Sequence, residues 1–137
     1  MSQYFDIGDE TLWNPSNGAA RLFLRYVRLY EEELGVPSGF GVMRNDECEI
    51  DPPVFETFVN ALLHWHDSRS HQVIDALSHG FTATVLVLAE RARIEVRWPE
   101  PSGCEGRSDV QVPMPGQPAW WATLRESAGA LSRRMPV

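Results

Sequence analysis

The segment His64-Trp65-His66-Asp67, followed by His71, is the chain's densest grouping of proton-transfer and metal-binding side chains. Metal ligands must converge on one point. On a helix His64 and His66 lie about 200° apart, so both cannot ligate from one regular segment. His64, Asp67 and His71 stand at i, i+3 and i+7 and share a face if the helix runs through. Such a stripe would supply part of a metal site, or a His–Asp pair for general acid–base catalysis. Ser68-Arg69-Ser70 reads as a helix break, however, and a break scatters the three groups. The competing reading is an exposed helix end with histidines near the terminal carbonyls, where positive charge is favourable.

A second grouping, Asp46-Glu47-Cys48-Glu49-Ile50-Asp51, places four carboxylates in six residues. Carboxylates suit a hard cation, but the glycine and the distant glutamate of a calcium loop are missing. Asp51 also precedes Pro52, the arrangement of a helix cap. Glu47, Glu49 and Asp51 are therefore expected to form a solvated acidic loop, or a patch that meets a basic partner. Cys48 among these carboxylates should have a raised pKa, the wrong direction for a thiolate nucleophile. Neither a glycine-flanked serine nucleophile nor a dinucleotide fingerprint occurs.

Five tryptophans are a third signal. Trp98 and the pair Trp120-Trp121 suit the core and its edge. Adjacent tryptophans on a helix cannot both face fully inward, so one is expected at a groove or interface. Trp13, beside Pro15 and Asn17, is a candidate lining of a surface cleft.

Composition narrows the chemistry. The 137 residues carry a net charge of −7, which disfavours nucleic acid and favours basic partners. All twelve basic residues are arginine. Codon bias in a GC-rich genome explains that, yet it excludes lysine Schiff-base chemistry, pyridoxal phosphate attachment and a phosphate-loop lysine. Two cysteines are too few for a disulfide framework or a four-ligand zinc cage. The longest apolar run, Val85 to Ala89, is far short of a membrane span, and Met1 to Asp6 lacks the pattern of a signal peptide. A cytoplasmic location is expected, with no resident cofactor or metal and no membrane partner.

These candidates need elements to position them. Tyr4 to Trp13, around Gly8-Asp9, predicts a hairpin. Phe23, Val27, Tyr30 and Leu34 predict a helix over 18–34, capped by Ser16 or Asn17 and ended by Gly35. Its charge order opposes the helix dipole: Arg21, Arg25 and Arg28 come first and Glu31-Glu32-Glu33 last. A short strand at 48–50 precedes a second helix from Pro52 to near Asp67. A third helix begins near Ser70, and Gly80 either ends or bends it. Residues 81–92 are balanced between strand and helix, and their alanines favour helix. Ile94, Val96 and Trp98 alternate with Arg93, Glu95 and Arg97, the pattern of a half-buried strand. A Pro/Gly-rich loop at 99–118 leads to a last helix from Trp120 to about Arg134. The expectation is one domain over 1–137 of α+β class, mainly α. It has four or five helices and a small antiparallel sheet from the hairpin and the Ile94–Trp98 strand.

The segments Ile7 to Asn17 and Asp46 to Pro52 resemble a family of small actinobacterial proteins catalogued as a domain of unknown function. The resemblance covers the first two-thirds of the chain. It implies no activity and carries over no catalytic residue. Two functions remain open from sequence: a non-enzymatic interaction module of the immunity or accessory type, homo-oligomeric or not, that binds a basic protein; or a small enzyme or metal-binding protein using His64, Asp67 and His71.

Overall fold

A computed structural model describes residues 2–69, 71–99 and 117–137. The elements run β1 (Tyr4–Ile7), β2 (Glu10–Trp13), α1 (Asn17–Leu34), β3 (Glu47–Glu49), α2 (Pro52–Arg69), α3 (Gln72–Arg91) and α4 (Gln117–Ser132). The class is α+β, mainly α, with four helices among the described residues.

Gly8, at φ +57°, makes the tight turn between β1 and β2. The register pairs Ile7 with Glu10, Asp6 with Thr11 and Phe5 with Trp13. Leu12 is the extra residue of a bulge, so Leu12 and Trp13 both turn inward despite being neighbours.

The sheet corrects two expectations. Its order is β2-β1-β3, and β3 pairs parallel to β1, so the sheet is mixed rather than antiparallel. Asn45 and Asp46, both at positive φ, turn the chain tightly between Arg44 and Glu47 and deliver β3 alongside Tyr4.

The second correction concerns residues 94–98, which pair with no strand among the described residues. Their alternation holds: Ile94, Val96 and Trp98 are half-buried while Arg93, Glu95 and Arg97 are exposed. The backbone of this segment is held by Asn60 of α2. Its Nδ2 donates to Glu95 O at 3.1 Å, and its Oδ1 accepts from Arg97 N at 2.7 Å.

α1 begins as its residues dictate, with Ser16 Oγ accepting from Ala19 N and Gly35 closing it in the left-handed region. Ala20, Phe23, Val27 and Tyr30 face the core. Gly39 is required where it stands. At φ +86° a Cβ would lie 2.7 Å from Asp51 O and 2.8 Å from Phe55 N.

α2 and α3 form a hairpin, with His71 Nδ1 accepting from Val73 N at the start of α3. α3 runs unbroken through Gly80 to Arg91, which resolves 81–92 as helix, and it packs against both α2 and α4. Its window has a mean hydropathy of 1.3, long and apolar enough by composition to cross a membrane. Reading only the unbroken run Val85–Ala89 missed this. Half of that window is buried, and Phe81, Val85, Leu86 and Leu88 belong to the core. An aromatic cluster joins sheet to helices: Phe5 stacks on Trp13, and Tyr30 stacks on Phe81 at 4.4 Å. Most of the loop expected at 99–118, with Cys104, lies outside the described residues.

Candidate functional site

His66 is the centre of the polar chemistry inside the protein. It lies on the inward face of α2 beside Leu62 and Leu63 and is 2% exposed. α3 presents Asp75, Ser78 and Thr82, at i, i+3 and i+7, along the stripe that meets it. His66 Nδ1 lies 3.1 Å from Asp75 Oδ1, and Nε2 lies 2.9 Å from Thr82 Oγ1 and 3.3 Å from Ser78 Oγ. A carboxylate accepts only, so in the neutral ring the Nδ1 proton faces Asp75 and Nε2 accepts from Thr82. Trp65 and Trp120 lie against the imidazole, with centroids 5.0 and 4.8 Å away.

Hydroxyl, imidazole and carboxylate thus stand in the order used by hydrolytic triads. The chemistry is blocked at the hydroxyl. Ser78 and Thr82 are buried, and Ser78 Oγ donates back to Ile74 O at 2.6 Å. Burial pushes the neighbouring Tyr30 phenol above its ordinary pKa, against the opposing pull of its hydrogen bond with Ser78. With no hydroxyl exposed to attack a substrate, the network joins α2 to α3.

The expected His64–Asp67–His71 stripe does not form. α2 ends at Arg69, and His71 is the N-cap of the next helix. His64 is exposed on α2 and Asp67 half-buried. Among the described residues no three His, Cys, Asp or Glu side chains converge as metal ligands. The buried histidine is His66 rather than His64 or His71. The signal for His66 was polar residues at helical spacing, Asp75, Ser78 and Thr82, on an otherwise apolar helix.

The second grouping is well ordered. Cys48 and Ile50 turn inward, and Glu47, Glu49 and Asp51 all turn outward, forming one stripe. Glu49 Oε1 accepts from Gly8 N at 2.8 Å, which ties β3 to the hairpin turn, and Asp51 Oδ1 faces Val54 N at 3.5 Å at the start of α2. Asp6 pairs beside Glu49, and its Oδ1 is buried with no hydrogen-bond partner among the described residues. Glu49, Asp51 and Glu31 share the wall of a cleft of about 700 Å³, whose apolar lining includes Pro37, Pro52 and Val54. Burial alone would raise the Glu31 carboxyl. Hydrogen bonds from Arg28 and from the Ser38 amide and hydroxyl outweigh it and hold the group below its ordinary pKa.

The tryptophans lie in the core or at its edge. Trp13 is in the core and forms part of the floor of an apolar groove between α1 and α3. Trp121 is buried, while Trp120 is half-buried over His66. Trp98 packs edge-on against Trp121 and lies under the Arg125 guanidinium at 4.0 Å.

The sequence profile of a protein family matches residues 1–137. The chain belongs to that family, DUF6086, a family of unknown function. No curated protein and no solved structure matches it. Membership in DUF6086 extends the resemblance of the two N-terminal segments over the full 137 residues. It assigns no chemistry, so function has to be argued from the surface the fold presents.

Proposed function

We propose that the protein is a non-enzymatic interaction module that captures a basic segment of a partner protein along Glu47, Glu49 and Asp51. The observation that carries this is the alignment of those carboxylates in one outward stripe bordering an acidic cleft. Adjacent like charges on neighbouring strands are unfavourable to the fold by a few tenths of a kcal/mol or more. Asp6 beside Glu49 is such a pair, and a guanidinium or ammonium group would relieve it. Because Glu49 and Asp51 are already tied to backbone amides, little side-chain order would be lost on binding.

An immunity-type or accessory protein is the role such a surface fits. The cytoplasm of an actinobacterium is the setting consistent with an acidic, lysine-free chain. The alternative is a small enzyme or metal-binding protein using His64, Asp67 and His71; with α2 ending at Arg69, such a site would have to draw His71 to the other two from across the α2–α3 turn.

The test is fluorescence anisotropy of a labelled arginine-rich peptide against the protein and its E47Q/E49Q/D51N variant. These substitutions keep shape and hydrogen-bonding atoms. Exposed pairs contribute roughly 0.2–1 kcal/mol each, so the triple variant should bind about tenfold more weakly. The affinity of the unmodified protein should fall as salt rises. Equal binding by both proteins, unaffected by salt, would refute the reading.

A further inference from the structure

α1 carries a charge pattern that the acidic surface does not explain. Arg21, Arg25 and Arg28 stand at i, i+4 and i+7, one stripe spanning about 10 Å of helix. All three line a cleft of about 590 Å³, within the usual range for small-molecule sites. Gln3 and Met43 also line this cleft, and Leu24 adds apolar surface.

The arginines are not equivalent. Arg28 is anchored, donating to Glu31 Oε1 at 2.8 Å, Phe40 O at 3.1 Å and Gly41 O at 2.9 Å. Arg21 and Arg25 are exposed and have no hydrogen bond or ion pair among the described residues. For the helix alone this placement is unfavourable. Arg21 and Arg25, like charges at i and i+4, repel by about 0.2–0.5 kcal/mol. A bound oxyanion reverses that sign. Two free planar guanidinium forks then face a group they fit geometrically. The chain as a whole, at −7 net, repels a long polyanion, which restricts the ligand to a small one.

We propose that the Arg21–Arg25–Arg28 cleft binds the oxyanion, phosphate or carboxylate, of a small organic molecule whose apolar body rests on Leu24 and Met43. This site is separate from the acidic stripe, and either can fail without the other. The test follows the arginine Nε–H signals by NMR while phenyl phosphate or benzoate is added in separate titrations. At least one probe should give saturable shifts at Arg21 and Arg25, and whichever binds tighter identifies the oxyanion. The R21Q/R25Q variant should lose at least tenfold in affinity. Arg133→Gln, an exposed change far along the chain, should lose none. Circular dichroism confirms that each variant is folded. Shifts that fail to saturate with both probes, equal shifts at Arg133, or unchanged affinity in R21Q/R25Q would overturn the proposal.

Discussion

Arg91, at the end of α3, donates through Nη1 to the carbonyl of Leu12 at 2.7 Å, across 79 residues of chain. Its Nη2 donates to Ser132 O and Met135 O, both at 2.9 Å. One guanidinium therefore satisfies the bulged strand and the end of α4 together. Arg91→Ala is expected to cost about 2–4 kcal/mol, since three partly buried carbonyls lose a charged donor. Arg91→Lys should recover only part of that, because an ammonium lacks the planar fork. Urea unfolding measures both. A lysine variant as stable as the parent would show that the fork is unimportant.

His66→Ala should be destabilising by a similar amount, about 2–4 kcal/mol, because Asp75 and Thr82 lose their buried partner and Trp120 its packing surface. Basic-peptide binding at the distant acidic stripe should not change. Chemical denaturation and anisotropy on the same variant separate the two effects. Full stability in His66→Ala would contradict the structural role given to the network.

Glu31 makes an acid-side prediction. Its folded pKa lies below the ordinary 4.5, so its contribution to stability is present above that value and disappears as pH falls through the folded pKa. Thermal melts from pH 7 down to pH 3 should show a smaller decline for Glu31→Gln than for the parent. Parallel declines would mean the Arg28–Glu31–Ser38 cluster is not linked to folding.

Cys48 makes the opposite prediction, on the alkaline side. Its thiol is pushed from 9.0 to about 11, chiefly by burial. The folded state therefore holds this proton more tightly than the unfolded chain. Stability from this source is complete below pH 9 and falls between pH 9 and about 11. In a Cys104→Ser background, native protein at pH 8 should resist iodoacetamide and react once unfolded. Rapid alkylation without unfolding would contradict the burial.

Local chemistry made much of this fold legible. Ser16 and Gly35 bound α1, and Asp51 with Pro52 opens α2, because caps are satisfied by neighbouring backbone groups. What escaped was set by distant partners. The alternation of 94–98 correctly gave which side chains are half-buried, but a period of two cannot reveal that Asn60 holds the backbone there. The parallel pairing of β3 depends on the route of residues 35–46, which hydrophobic pattern does not encode. For the site, the outward stripe of Glu47, Glu49 and Asp51 was readable from its spacing. The burial of His66 needed α3 in place, since either His66 or Trp65 could fill the inward position of α2.

The bulge at Leu12 has a consequence for insertions and deletions. With Leu12 removed, β2 would regain simple alternation, and Trp13 would still meet Phe5 on the inner face. The extra residue is therefore what lets two neighbours of a four-residue strand enter the core together, and a deletion there would empty the place of Leu12 while leaving the hairpin register intact.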